Sequence, residues 1–323
     1  MGCSTDDSLA ARHREGMVLC PQRAWGCNAE AWSDSELEDA LSAPAYAGYL
    51  RARMRLLETT RRVKMALILA VSAPDLANTI IDGRKLQATL KGLGWPVEMA
   101  LDLTVKQVMT MIKKFANAVR RENADCLVAF AGHAIQVNGR NYLYAADSAA
   151  KLDLKYPSDD KYEEAAKRVC LPFLDVQAAF ENTREGAKVF VLDCCRIGLS
   201  TGVDSGVSSQ LENSIVIYST TSGNVADDGV PGKGGAFMGI LCEEIKRSGA
   251  EGVGVSKVTE RSRKRLLQTP NLHQLASDNS TLLDDFFFSS QRWQQVSLNP
   301  LSHMAPPIQR AVDFAVGRIE QRE

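Results

Sequence analysis

The chain has 323 residues, of which 45% are hydrophobic and 24% are charged, so it can bury one large core or two smaller ones and is not compositionally disordered. The formal net charge of -1 supplies no overall field for nucleic acid, and we predict no nucleic-acid partner. The longest clearly apolar run, residues 65–70, is far too short to span a bilayer.

The cysteine pattern favours free thiols. The eight cysteines are irregularly spaced and follow no secretory signal, so we expect no disulfide framework and a reducing compartment. Cys20 and Cys27 are too far apart in the sequence to form one pair of zinc ligands, and no second pair of Cys or His residues with zinc-ligand spacing follows them. We therefore predict a cytoplasmic protein without a structural zinc site.

The amino-terminal region, residues 1–62, is predicted to be an extension that carries a helix interrupted at Pro44. Gly2, exposed after methionine removal, and Cys3 form the arrangement of proteins acylated with myristate and then palmitate, although Asp6 stands where the consensus prefers Ser or Thr. One myristoyl chain binds only marginally, so attachment to a membrane surface needs the second acyl group or a basic patch. The competing interpretation is an ordinary flexible start.

From residue 64 the pattern alternates between short apolar strands and amphipathic helices. Predicted strands cover residues 65–73, 96–103, 125–133, 187–195 and 214–221, predicted helices cover 79–95, 105–122, 171–182, 236–248 and 255–268, and a hairpin over 135–147 turns at Asn138-Gly139. Apolar strands separated by helices indicate a mainly parallel sheet covered on both faces. We predict an α/β protein with a three-layer α/β/α domain over residues 63–290 and a tail at 291–323.

Two predicted strands end on reactive side chains. Ligands of such sheets bind beyond the carboxyl ends of the strands, where one strand ends on His133 and another on Asp193, Cys194 and Cys195. A cysteine attacks as its thiolate and needs a nearby imidazole to take its proton and later return it. Because side chains alternate along a strand, one thiol must point inward, and we expect Cys194 to be the buried one.

Two motifs resemble those of the caspase-fold cysteine peptidases. The stretch "LVAFAGHAIQVNGRNYLYAAD" contains a strand ending in Gly-His, and "KVFVLDCCRIG" contains a strand ending in Asp-x-Cys. Within that group the chain resembles the paracaspases most, because their Asp-x-Cys-Arg pattern is met at Asp193, Cys195 and Arg196. The resemblance extends from about residue 65 through "QTPNL" to "DDFFF" near residue 284, which we expect to be the closing strand of the caspase fold.

The resemblance implies a catalytic Cys/His dyad. It makes Cys195 the nucleophile and His133 the general base and acid, with the backbone N–H groups of Cys195 and Ala134 as the oxyanion hole. The family usually has glycine at the position of Ala134. Alanine keeps the N–H donor but disfavours positive φ, so the hole requires a backbone that an L-residue can adopt. The alternative is a pseudopeptidase that uses the same fold as a binding or regulatory module at a membrane.

The resemblance also implies polypeptide substrates cleaved after Arg or Lys. Caspases that cleave after aspartate carry glutamine two residues before the nucleophile, where this chain has Asp193, and a carboxylate there attracts a cationic P1 side chain. Asp82 matches a position that lines the same pocket in paracaspases and metacaspases, and Asp227 or Asp228 offers a third acid. For each of these acids the competing interpretation is a solvated loop residue.

We expect no cofactor. The glycines of "GKGGAFMG" follow no strand with dinucleotide spacing, and no Gly-x-x-x-x-Gly-Lys-Ser/Thr motif is present. The acids of "KLDLKYPSDDKYEEAAK" suggest calcium, which activates many metacaspases, but they lie beyond the hairpin and not just after the histidine. We therefore interpret this segment as a solvated loop and predict no metal site.

Overall fold

The computed structural model describes residues 62–148, 159–183, 186–196, 211–270, 272 and 274–289. The Gly2-Cys3 acylation site, the predicted helix before residue 62 and the predicted tail at 291–323 lie outside these residues and stay predictions from the sequence. Within the described part, no helix is long and apolar enough to cross a membrane.

Nine strands and six helices lie in the described part of the chain. The strands are β1 (Lys64–Ala70), β2 (Val97–Leu101), β3 (Asp125–Ala131), β4 (Ala134–Val137), β5 (Arg140–Leu143), β6 (Leu171–Pro172), β7 (Lys188–Asp193), β8 (Ser214–Tyr218) and β9 (Ser277–Ser280). The helices are α1 (Thr79–Gly92), α2 (Val105–Arg121), α3 (Asp159–Val169), α4 (Phe173–Ala178), α5 (Ala236–Glu251) and α6 (Val255–Gln268).

The main sheet has six strands in the order β2-β1-β3-β7-β8-β9, and a small sheet has the order β4-β5-β6. Neighbouring strands from β2 to β8 pair in parallel, and β9 pairs antiparallel with β8. The hairpin β4–β5 turns at Asn138 and Gly139, which both have positive φ, 50° and 74°. The mostly parallel sheet and the position of the hairpin are therefore confirmed.

Helices cover both faces of the main sheet because its central strands are apolar throughout. Every residue of β3 and of β8 is buried. One face packs against α2 and α4 through side chains that include Phe115 and Phe173. The other face packs against α1, α5 and α6 through Leu86, Leu241 and Leu266. The predicted three-layer α/β/α architecture is confirmed.

One predicted element is wrong, and another is shorter than predicted. The closing strand is β9, with the sequence Ser-Asp-Asn-Ser, and not the following "DDFFF" segment. Phe286 and Phe288 are buried outside any strand, where they pack against Trp95, and the Trp95 indole N–H donates to the Phe288 carbonyl at 2.9 Å. The predicted helix at 171–182 is shorter, because β6 takes its first two residues and α4 ends at Ala178.

The acid-rich segment interpreted as a solvated loop instead contains α3, and its Glu163 is buried. The Glu163 carboxylate accepts hydrogen bonds from Asn138 at 2.7 Å, from Arg140 at 2.9 Å and from the Tyr142 hydroxyl at 2.9 Å. Although burial opposes the shift, the hydrogen bonds from Asn138 and Tyr142 together with Lys167 lower the pKa of Glu163 to about 2. Glu163 therefore connects α3 to the β4–β5 hairpin through these hydrogen bonds. The interpretation of this segment as a solvated loop is wrong for residues 159–169, which form α3.

Asn78 joins the start of α1 to the loop between β8 and α5, hereafter the β8–α5 loop (residues 219–235). Asn78 is fully buried, and its side-chain N–H groups donate to the carbonyls of Asp228 at 2.5 Å and Val230 at 3.0 Å. Its side-chain oxygen accepts from the N–H groups of Gly232 at 2.9 Å and Gly234 at 3.0 Å. All four hydrogen bonds that this side-chain amide can make are therefore made to the β8–α5 loop.

We predict that Asn78→Asp lowers the free energy of unfolding by about 2 to 4 kcal/mol, because a carboxylate cannot donate to the two carbonyls and leaves a charge buried. Urea unfolding followed by circular dichroism at neutral pH measures the change. Asn117→Asp, on the exposed face of α2, is the matched control and should change stability by less than about 0.5 kcal/mol. Equal effects of the two substitutions would contradict the role of Asn78.

Candidate active site

The register between β3 and β7 brings His133 and Cys195 to the same edge of the sheet. Ala131 pairs with Asp193 at the last position of the parallel ladder, and the Gly132 N–H donates to the Asp193 carbonyl at 3.2 Å. His133 and Cys195 each follow this last pair by two positions. Both residues therefore leave the sheet beyond its carboxyl edge, where α/β sheets bind ligands.

A cleft at this edge contains all the predicted site residues of the described chain except Ala134. Its empty volume is about 370 Å³, including space open to solvent. The loop after β1, the start of α1, the ends of β3 and β7, and the β8–α5 loop form its walls. The lining residues are Leu76, Thr79, Asp82, Ala131, Gly132, His133, Asp193, Cys194, Cys195, Ala226, Asp227, Asp228 and Gly235.

The two adjacent thiols lie in different environments. Cys194 is buried, as the strand alternation predicts, whereas Cys195 is partly exposed. The Cys195 thiol donates to the carbonyl of Ala226 at 3.9 Å. Burial raises the pKa of both thiols, and the neighbouring charge of Asp193 adds to the effect. Cys195 is thus the more accessible of the two, and it needs a base to lose its proton at neutral pH.

His133 contacts an acid that the sequence did not single out. The His133 Nε2 lies 3.0 Å from Oδ1 of Asp75, in the loop between β1 and α1. The ring of Tyr144 packs edge-on against the imidazole with 6.0 Å between the ring centroids. The hydrogen bond with His133 lowers the pKa of Asp75, so this carboxylate is ionised at neutral pH. Sequence reasoning missed Asp75 because it lies 58 residues before His133 in a loop without a motif.

Ala134 has a backbone conformation that suits alanine. It begins β4, and it is absent from the described non-glycine residues that have positive φ. Ala134 pairs with Leu143 in an antiparallel ladder, and the Tyr144 N–H donates to the His133 carbonyl at 3.0 Å. The Ala134–Leu143 pair is therefore a non-hydrogen-bonded pair of that ladder. The Ala134 N–H consequently points away from β5 and is not used by the hairpin.

Asp82 lies at the bottom of the cleft, near the start of α1, and is 3% exposed. Both of its carboxylate oxygens accept from the Gly235 N–H at 3.0 Å. Glycine lets the loop come this close, because a Cβ at Gly234, where φ is +84°, would lie 2.6 Å from Asp82 Oδ1. Burial raises the pKa of Asp82 to about 6, although the Gly235 hydrogen bond opposes the shift.

Asp193 and Asp228 extend this acidic cluster. Burial raises the pKa of Asp193 to about 7, with further contributions from the charges of Asp82 and Asp228, while a hydrogen bond with Ser219 opposes the shift. Burial also raises the pKa of Asp228, whose Oδ2 accepts from the Ala77 N–H at 2.9 Å. Three carboxylates that are costly to ionise therefore converge, and a cationic group placed among them would favour their charged forms.

Asp227 lines the same cleft but turns its carboxylate toward its own loop. The Asp227 Oδ1 accepts from the Gly229 N–H at 2.6 Å, which closes a tight turn. The Asp227 N–H donates to Oε1 of Gln274 at 3.1 Å. Of the two adjacent acids, Asp228 is therefore the one that is coupled to Asp82 and Asp193.

The segment after β7 is hydrogen-bonded to the β8–α5 loop through both backbone polar groups of Arg196, the residue that follows Cys195. The Arg196 N–H donates to the Asn224 carbonyl at 2.9 Å, and the Arg196 carbonyl accepts from the Gly223 N–H at 2.8 Å. The Arg196 guanidinium lies over the ring of Tyr218, 4.1 Å from its centroid. These contacts fix the backbone that presents the Cys195 thiol.

No metal centre is formed by the residues that the structure describes, since none of their His, Cys, Asp and Glu side chains form a group of three or more that could hold a metal ion. Asp153 and the side chains of Asp159 and Asp160, which belong to the acid-rich segment, lie outside the described part.

Comparisons with known proteins agree with this architecture. No curated protein is significantly similar in sequence. Among solved structures, caspase-1 from Spodoptera frugiperda is similar with 18% sequence identity and a TM-score of 0.53 over 71% of this chain and 90% of that chain, a likeness that shows the fold alone. The family profile of the caspase domain matches residues 63–287, which is more than half of the chain. The chain therefore belongs to the caspase-domain family of cysteine peptidases.

Proposed function

We propose that the protein is a cysteine endopeptidase that cleaves polypeptides after arginine or lysine through Cys195 and His133. Membership of the caspase-domain family supports cysteine-type peptidase activity in general. The observation that carries the finer proposal is the meeting, in one cleft, of this thiol and imidazole with the carboxylates of Asp82 and Asp193. A thiol nucleophile, its base and a cation-binding wall are the three parts that such cleavage requires.

In the proposed reaction, His133 takes the thiol proton as the Cys195 sulfur attacks the carbonyl carbon of the scissile bond. The carbonyl oxygen becomes an oxyanion, to which we assign the backbone N–H groups of Cys195 and Ala134 as donors. His133 then protonates the leaving amine, the C–N bond breaks, and a thioester remains. Water, deprotonated by His133, hydrolyses the thioester and restores the thiol.

The charge of the cleft supports a cationic P1 side chain. The pKa values of Asp82 and Asp193 are raised to about 6 and about 7, so the surrounding residues do not fully compensate the charges of these two carboxylates. Lys85 lowers the pKa of Asp82 only in part, and its ammonium group donates to the Lys233 carbonyl. An arginine guanidinium satisfies two carboxylates with its planar fork better than a lysine ammonium does.

The same residues support a place among the paracaspases and metacaspases. An acid two residues before the nucleophile, Asp193, replaces the glutamine of caspases that cleave after aspartate. Asp82 supplies a second acid from the first helix, and Asp228 is coupled to both through the β8–α5 loop. We therefore assign the chain to the basic-specific branch of the fold.

We predict that Cys195→Ala lowers kcat/KM on a fluorogenic P1-arginine peptide by at least about a thousandfold, because the covalent route is lost. Cys194→Ala, whose side chain is buried, is the matched control and should retain activity within about tenfold, with a modest loss of stability. Activity that survives in Cys195→Ala and disappears in a folded Cys194→Ala would overturn the assignment. An inactive wild-type protein would favour the pseudopeptidase alternative.

We predict that kcat/KM for otherwise identical peptides is about a hundredfold higher with arginine at P1 than with glutamine, since each charge-assisted hydrogen bond contributes about 1.5 to 3 kcal/mol. Asp193→Asn should remove most of this preference. The matched control Asp227→Asn should remove far less, because the Asp227 carboxylate is engaged by the Gly229 N–H. A P1 scan of the three proteins measures both effects.

The arginine preference should also depend on pH. Acids whose pKa values lie at about 6 and about 7 are neutral below that range, so selectivity for arginine over glutamine should rise as pH increases through it. Cleavage of the glutamine peptide is the control, because its pH dependence does not involve a charge at P1. Preference for aspartate at P1, or indifference to P1 charge at every pH in an active preparation, would contradict the proposed specificity.

A further inference from the structure

The loop between β1 and α1 carries Asp75 into the cleft region and is anchored on both sides of it. The backbone N–H and the hydroxyl of Ser72 both donate to Oδ1 of Asp102 at 2.7 Å. Beyond Asp75, the Ala77 N–H donates to Oδ2 of Asp228 at 2.9 Å. The position of Asp75 therefore follows from a backbone that is held at both ends.

The contact between Asp75 and His133 fixes which imidazole nitrogen carries a proton. An ionised carboxylate can only accept, so the 3.0 Å contact with Asp75 Oδ1 requires a hydrogen on Nε2 of His133. In the neutral imidazole the proton acceptor is then Nδ1. The edge-on ring of Tyr144 restricts rotation of the imidazole away from this arrangement. With this tautomer His133 can accept a proton at Nδ1 while its Nε2–H stays hydrogen-bonded to the Asp75 carboxylate.

In the described part of the chain, the charged and titratable groups around the His133 ring come from four segments, one of which is the segment that follows β5 and carries Tyr144. Asp75, from the β1–α1 loop, is the acid in hydrogen-bond contact with the ring. Asp228, from the β8–α5 loop, interacts with His133 through space. Cys195 and Asp193, from the end of β7, line the same cleft. Among the described acids around this ring, Asp75 is the one that is hydrogen-bonded to the imidazole and lies outside the proposed P1 pocket formed by Asp82, Asp193 and Asp228.

We propose that Asp75 is a positioning residue for catalysis, which holds the Nε2–H tautomer of His133 and stabilises the imidazolium that forms when Cys195 loses its proton. This inference rests on the proposed roles of His133 and Cys195. The hydrogen-bond contact of Asp75 is with His133, so its stabilising effect is exerted through the imidazole, whereas its charge acts directly on the Cys195 thiol in the opposite sense and raises the pKa of that thiol. The side chain of Asp75 is 72% exposed, so solvent screens its charge. We therefore expect Asp75 to change the alkylation rate of Cys195 and kcat by only about two- to fivefold.

The test is the rate at which iodoacetamide alkylates Cys195 in the full-length protein, followed by mass spectrometry across a range of pH. Asp75→Asn should slow alkylation about two- to fivefold near neutral pH, where the thiolate depends on a neighbouring imidazolium. The difference in alkylation rate between the wild-type protein and Asp75→Asn should vanish at high pH, where the Cys195 thiol ionises without an imidazolium beside it. On a P1-arginine peptide, kcat should fall by a similar factor while KM stays unchanged.

Asp102→Asn is the matched control, because it loosens the same loop without removing charge from His133. Any effect of Asp102→Asn should be the same at every pH. If Asp75→Asn slows alkylation by one constant factor at all pH values, or leaves the profile unchanged, the proposal is overturned. If the profile shifts as expected but no peptide is cleaved, the positioning role stands and the proposed peptidase function fails.

Discussion

The parallel register between β3 and β7 is the constraint on which the candidate active site depends. It pairs Ala131 with Asp193, so the residues that follow, His133 and Cys195, emerge at one edge of the sheet. A slip by one residue would turn every side chain of a strand to the opposite face. Alternate side chains of β3 are close-packed in two different cores, so such a slip would disrupt the packing of both. The apolar core therefore sets the alignment of the reactive groups.

The acidic residues of the cleft show that the folded sheet can hold carboxylates whose charged forms are unfavourable in their surroundings. Asp82 and Asp193 have pKa values raised to about 6 and about 7, so the folded protein binds their protons more tightly than the unfolded chain does. Their contribution to stability is present at low pH and is lost as pH rises through those values. The Asn78 amide and the Glu163 carboxylate, each satisfied by several hydrogen bonds, hold the surrounding elements in place.

Features encoded by local pattern could be predicted from the sequence, and features that depend on contacts between remote segments could not. Apolar runs that end on reactive residues marked His133 and the buried Cys194. Asp75 contacts His133, 58 positions away in the chain, and Asn78 contacts Asp228, 150 positions away. Nothing in the sequence next to Asp75 or Asn78 indicates these partners. Glu163 belongs to a segment that reads as solvated until its three partners on the hairpin are known. The polar β9 carries no strand signal, because its pairing with β8 and not its composition makes it a strand.

We propose that Cys195 is a nucleophile beside a pocket for a cationic side chain. Two peptidyl acyloxymethyl ketones that differ only at P1, one with arginine and one with aspartate, test this proposal when the covalent adduct is mapped by mass spectrometry. We expect an adduct on Cys195 that forms at least about tenfold faster with the arginine probe, a factor that corresponds to one charge-assisted hydrogen bond. Equal rates with the two probes, or an adduct confined to Cys194, would contradict it.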